Sequence, residues 1–177
     1  MMFPISDTWE ECFSGGLQHV FENEVATHGR GDEEFEELKK RVMDKVIPRL
    51  LRQLETGGRS ITPCLVHGDL WDGNASVNVD TGKSTFFDGT PLYAHNEYEL
   101  GPWRATRHEM TKVYIDEYIK HFPISEPVEE FDDRGKLYCL RFDLMSSSLY
   151  AGNLSFRAIG RETMRTLVAK YGGDDER

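Results

Sequence analysis

Apolar residues recur at three- and four-residue intervals through most of this chain and give way to short runs only in its middle. Trp9, Phe13, Leu17, Val20 and Phe21 fall on one face of a predicted first helix, the spacing a 3.6-residue turn requires. Asp7 stands where a cap belongs, and Glu10 three residues on can reciprocate. Gly15-Gly16 weakens the middle of that helix, and His28-Gly29-Arg30-Gly31 ends it. Phe35, Leu38, Val42, Val46, Leu50 and Leu54 mark a second helix over residues 32–54. Pro48 is expected to kink it, because proline removes a backbone donor. Thr56-Gly57-Gly58-Arg59 then stops it. Cys64-Leu65-Val66 predicts a buried strand, and residues 76–79 and 84–87 predict a hairpin around Asp80-Thr81-Gly82-Lys83. Helical spacing returns in Met110, Val113, Tyr114, Tyr118 and Phe122, before Pro123. Two more helices follow over 132–151 and 162–171, with Leu137, Leu140, Leu144, Leu149, Met164, Leu167, Val168 and Tyr171 as expected core. The order is two helices, a strand-loop-hairpin unit, then three helices: an α+β fold, predominantly helical.

Length and composition narrow this picture. The chain has 177 residues, 38% of them hydrophobic, enough for one domain with an ordinary core spanning 1–177. A net charge of −10, with no cluster of Lys and Arg, excludes a nucleic-acid backbone as partner. The acidic runs Glu33-Glu34-Phe35-Glu36-Glu37 and Glu129-Glu130-Phe131-Asp132-Asp133 read as solvated helix starts. Cys12, Cys64 and Cys139 are odd in number and widely spaced, which points away from a disulfide framework or a zinc site. With no membrane-length apolar run, the expected setting is soluble and cytoplasmic.

Candidate chemistry concentrates in His67-Gly68-Asp69-Leu70-Trp71-Asp72-Gly73-Asn74 and in Phe86-Phe87-Asp88. An Asp followed five positions later by an Asn has the spacing of a kinase catalytic loop, and a second Asp after a short strand matches the kinase metal motif. Phosphoryl transfer needs a carboxylate to orient and deprotonate a hydroxyl, and oxygen ligands for the magnesium ions that bridge nucleotide phosphates. Asp69 is the candidate base, and Asn74 and Asp88 are the candidate Mg2+ ligands. His67 is read as a hydrogen-bonded structural group. Trp71 is read equally as a sugar-stacking ring or a core plug. Other motifs fail on spacing: Gly82-Lys83-Ser84 lacks the leading glycine of a phosphate loop, and His108-Glu109 ends in Lys112 where a zinc ligand belongs. No Gly-rich loop or strand-borne lysine precedes Asp69, so the element order is that of a kinase-like carboxy-terminal lobe without its ATP-gripping amino-terminal partner.

These residues resemble the fructosamine and ketosamine kinases, relatives of the aminoglycoside and choline kinases. The resemblance, closest to fungal-type members, lies in Trp9-Glu10, Val46-Ile47-Pro48-Arg49-Leu50-Leu51, Gly57-Gly58-Arg59-Ser60-Ile61, the His67 to Asn74 run, and Tyr93-Ala94-His95-Asn96-Glu97-Tyr98-Glu99-Leu100. It implies Asp69 as base, Asn74 and Asp88 as metal ligands, and Trp71, His95 and Glu97 near the sugar. It further implies ATP as co-substrate and phosphorylation of the 3-hydroxyl of ketosamines on protein lysines, which leads to deglycation. Gly89-Thr90 departs from the Asp-Pro expected in many relatives. Two rivals carry different expectations: a non-catalytic kinase-like binding module, and a phosphoesterase holding paired metals with Asp69, Asp72 and Asp88. A lobe without its companion is also expected to expose apolar surface and to self-associate.

Overall fold

The computed structural model describes residues 3–173. Helix α1 (Trp9–His28) is capped by Thr8, whose hydroxyl accepts from the Glu11 N–H at 3.3 Å; the expected cap, Asp7, lies one residue too early. The helix runs unbroken through Gly15-Gly16. Those glycines make room for the incoming chain: a Cβ at Gly16 would stand 2.5 Å from the Phe3 ring, and one at Gly15 2.5 Å from Pro4. Phe3 meets Tyr98 edge-on at 5.8 Å and lies 4.4 Å from the Arg141 guanidinium. That packing compensates the helix propensity lost at two glycines, about 1 kcal/mol each.

The expected helix over 32–54 is a single rod wound at three pitches. Helix α2 (Glu33–Arg41) passes into a wide π turn (Val42–Val46), then helix α3 (Ile47–Leu51), then a 3-10 turn (Arg52–Glu55). The wide turn lies just ahead of Pro48, and the Ile47 N–H reaches back five residues to the Val42 carbonyl. Proline cannot donate in an α ladder, and local unwinding replaces the sharp kink expected there. Phe35, Val42, Val46 and Leu50 all remain fully buried.

Helix α4 (Lys112–Tyr118) is shorter than its apolar spacing suggested, and Val113, Tyr114 and Phe122 are exposed. Helix α5 (Phe131–Leu149) matches the expected span closely, with Leu137, Leu140 and Leu144 buried and Leu149 exposed at its end. Helix α6 (Ser155–Tyr171) begins seven residues before the expected 162. Asn153 starts it by accepting from the Ser155 N–H at 3.1 Å. Its first turns were hidden by Arg157, which pairs with the buried Glu24 of α1 at 3.0 Å. The main core gathers α1, α2, α3, α5 and α6 around Phe13, Leu17, Phe21, Ile47 and Leu140.

Four three-residue strands stand against this helical body as two nested hairpins. Strand β1 (Cys64–Val66) pairs antiparallel with β4 (Leu92–Ala94), placing Val66 opposite Leu92. Strand β2 (Ala75–Val77) pairs with β3 (Ser84–Phe86), placing Ala75 opposite Phe86. The pattern did not predict β4, and the hairpin strands are shorter than expected. Val66 and Ala94 point into the core, whereas Leu65, Tyr93, Val77 and Phe86 are exposed. Nesting sets the two connectors, 67–74 and 87–91, side by side at the junction of the ladders.

Candidate active site

The first connector is shaped by a buried carboxylate. Glu99, in the 3-10 turn Asn96–Leu100, accepts the backbone N–H groups of both His67 and Gly68. Burial pushes its carboxyl upward, and those two donors oppose the shift. Gly68 adopts φ +78, where an added Cβ would lie 2.3 Å from the Thr90 carbonyl, so the chain can turn here only with glycine. Trp103 Nε1 donates to the Leu70 carbonyl at 2.6 Å. Glu99 was not among the expected site residues. The available signal was an acid set among buried Tyr98 and Leu100.

Asp69 emerges from this clamp half-buried. Burial pushes its carboxyl upward, while the Asn74 amide and, more weakly, His67, His108 and Arg141 pull it down. A carboxylate made more basic in this way suits proton abstraction. Asn74 Nδ2 donates to the Asp69 carbonyl at 2.8 Å and to Oδ2 at 3.2 Å, turning its own amide oxygen away from Asp69. The second connector is stitched to the first. Phe87 N donates to the Asn74 carbonyl at 3.2 Å, His67 Nε2 meets the Phe87 carbonyl at 2.9 Å, and Thr90 N donates to the His67 carbonyl at 2.8 Å. His67 thus has the structural role expected of it. Asp88, exposed between these bonds, sits at φ +56, a left-handed conformation costly for most residues but tolerated by Asp.

Trp71 lies partly exposed with its ring over Gly73, where an added Cβ would meet it at 2.1 Å. The ring tilts against His108, centroids 5.3 Å apart at 47°. Asp72 Oδ1 accepts from the Glu109 N–H at 3.0 Å and faces His108 Nδ1 at 3.2 Å. Among the described residues no three His, Cys, Asp or Glu side chains come together to hold a metal ion. The Asp69, Asp72 and Asp88 phosphoesterase set is therefore not assembled.

His95 and Glu97 turn inward, only 1% and 2% exposed. His95 bonds the Tyr138 hydroxyl through Nδ1 and the Ser125 hydroxyl through Nε2, each at 2.9 Å. Burial pushes its pKa down to about 4, so it is neutral at physiological pH. Glu97 takes Arg134 Nε at 2.8 Å and Nη2 at 2.9 Å, and Ser125 N at 2.8 Å. With these partners and this burial, neither presents the sugar-facing surface expected of it. The structure gathers Asp69, Asn74, Asp88 and Trp71 on two adjoining connectors, and His95 and Glu97 brace the turn behind them.

A magnesium ion fits the donors that remain. Asn74 offers an amide oxygen with no partner among the described residues, and Asp88 offers an exposed carboxylate on the neighbouring connector, hard oxygen ligands of the kind Mg2+ takes alongside retained water.

A half-buried carboxylate braced by an asparagine five residues on, beside a second acid at a strand end, is the arrangement of a kinase-type phosphotransferase. Comparison with known proteins agrees. The fructosamine kinase family matches residues 6–170, and the chain belongs to that family. It is 30% identical over 131 residues, 73% of this chain and 34% of the other, to protein-ribulosamine 3-kinase, chloroplastic, of Oryza sativa subsp. indica. It is 46% identical over 70 residues, 40% of this chain and 20% of the other, to ketosamine-3-kinase of Mus musculus. The chain spans about a third of the length of the first curated relatives it matches. No helix among the described residues is long and apolar enough to cross a membrane.

Proposed function

We propose that this chain is the acceptor-activating, carboxy-terminal lobe of an ATP-dependent kinase that phosphorylates the 3-hydroxyl of ketosamines, ribulosamine or fructosamine, on protein lysines. The observation that carries this reading is the Asp69 carboxylate, held by Asn74 within a Glu99-clamped turn, in a chain of the fructosamine kinase family. Asp69 orients the acceptor hydroxyl and takes its proton as the oxygen attacks the terminal phosphorus of ATP and the bond to the bridging oxygen breaks, releasing ADP. Asn74 and Asp88 hold Mg2+, which when bound neutralises charge on the triphosphate. Trp71 lies against the sugar. His95 and Glu97 act from behind, fixing the turn that carries Glu99. The partners are glycated proteins, whose phosphorylated adducts then decompose. The three cysteines, all free, accord with a cytoplasmic setting.

Self-association through the exposed strand faces of Leu65, Tyr93, Val77 and Phe86 belongs to the same proposal; sedimentation as a monomer at high concentration would remove it. The principal test is phosphorus NMR of the chain with magnesium ATP and a ribulosyl-lysine or fructosyl-lysine peptide, beside Asp69→Asn. A sugar-phosphate signal that the variant lacks supports the reading. A folded chain that gives no signal even with an amino-terminal lobe supplied from a relative overturns it in favour of a non-catalytic binding module.

A further inference from the structure

Asp72 and His108, near Asp69, have no part in the chemistry above. Asp72 directs Oδ1 at the Glu109 N–H, 3.0 Å, and at His108 Nδ1, 3.2 Å. An imidazole nitrogen lone pair would be repelled by a carboxylate at that distance, so in the neutral ring the proton resides on Nδ1. Nε2 is then a bare acceptor, and it has no partner among the described residues. The Trp71 ring tilts over the same imidazole at 5.3 Å, kept there by Gly73 beneath it. His108 also lines a 760 Å³ cavity with Trp103, Met110, Ile115 and Ile119, space enough for chain attached to a small ligand. A carboxylate on one edge of the imidazole, a lone pair on the other and an aromatic ring against its face form a receptor for a cation that carries N–H groups.

Under the function proposed above, the acceptor carries such a group next to the sugar. A ketosamine joins C1 of the sugar to the lysine nitrogen as a secondary amine, protonated at neutral pH, whereas a free sugar or an O-glycoside has no charge there. We propose that Asp72, His108 and Trp71 form the subsite that recognises this ammonium: His108 Nε2 accepts one N–H, Asp72 supplies the balancing charge, and Trp71 supplies its ring face. His108 is thus a specificity-determining residue, and the cavity beyond it receives the lysine-bearing chain. Burial, together with Arg107, pushes the imidazole below its usual range despite Asp72, which favours the neutral acceptor form.

The test uses the full chain with two unreactive probes: a 3-deoxy-fructosyl-lysine peptide and its isostere with an ether oxygen in place of the amine nitrogen. Dissociation constants by calorimetry are compared for the native protein, His108→Phe, which keeps a ring against Trp71, and His108→Gln, which keeps an acceptor. The expected result is tenfold or greater preference of the native protein for the amine. That preference falls to near parity in His108→Phe and returns in part in His108→Gln, with affinity for the ether unchanged throughout. Equal affinity of the native protein for both probes, failure to bind either, or undiminished preference in a folded His108→Phe overturns the subsite. Because the probes cannot be phosphorylated, an amine preference in a chain that transfers no phosphoryl group even with the supplied amino-terminal lobe would sink the kinase reading and leave the subsite standing.

Discussion

Glu97→Gln separates a residue that touches sugar from one that holds the fold. Arg134 is fully buried, and among the described residues Glu97 is its only carboxylate partner, through two bonds of 2.8 and 2.9 Å. Breaking a buried ion pair from one side costs about 3–5 kcal/mol, because the other charge is left without compensation. Arg134 retains the Pro127 and Ser125 carbonyls at 2.8 Å each, and a glutamine oxygen can still accept one N–H. Both facts place the expected loss at the lower end, about 3 kcal/mol. With a urea slope of about 2 kcal/mol/M for a chain of this size, the unfolding midpoint should fall by about 1.5 M. Circular dichroism during urea titration measures this directly. Replacing both partners, as in Glu97→Met with Arg134→Met, should restore at least half of the loss, since neither charge then remains. A midpoint within about 0.3 M of the native one, paired with a raised KM for the ketosamine, would refute the structural role argued here.

Further predictions follow from the same geometry. Asp69→Asn should reduce turnover by about 10²- to 10⁴-fold, yet slightly raise the urea midpoint at pH 7. Burial raises the folded pKa of Asp69, so its ionised form opposes folding above that pKa, and the variant's advantage should vanish at more acid pH. His95 has the opposite arrangement. With a folded pKa of about 4, its contribution is intact above the unfolded value near 6.5 and is lost as pH falls toward 4, on the order of 3 kcal/mol in all. Urea midpoints between pH 7 and 4 should show that decline, and a flat profile would contradict it. Gly68→Ala must place a methyl group 2.3 Å from the Thr90 carbonyl at φ +78; thermal melts should drop by several degrees with loss of turnover. In Gly73→Ala the new methyl displaces only the Trp71 ring, so altered tryptophan emission should accompany a near-native melting temperature.

The helical body was legible because its buried faces repeat cleanly: α1, α5 and the rod containing α2 and α3 each present apolar residues at helical spacing. Where the reading failed, polar residues had been taken inside. Arg157 disguised the start of α6 by pairing with buried Glu24, and strand β4 has only three residues. The loop of Asp69 and Asn74 could be read from spacing alone, because side chains in one short turn cannot be far apart. Glu97 and His95 could not be placed that way, since whether they point outward depends on Arg134, Tyr138 and Ser125, which lie 28 to 43 residues away.

The nesting of the two hairpins also bears on how such a chain can change over time. The bonds that stitch the connectors lie between the two ladders, from the end of the outer hairpin to the root of the inner one, whereas the inner tip, Asn78 through Lys83, is bonded only to itself among the described residues. Lengthening that tip lengthens a free arm and leaves the root in register. The root tolerates no such drift, because one residue added between Asp69 and Asn74 would break the brace on the Asp69 carboxylate. The same hairpin therefore provides a freely variable end and an invariant one, and descendants could acquire new surface at the first without disturbing the second.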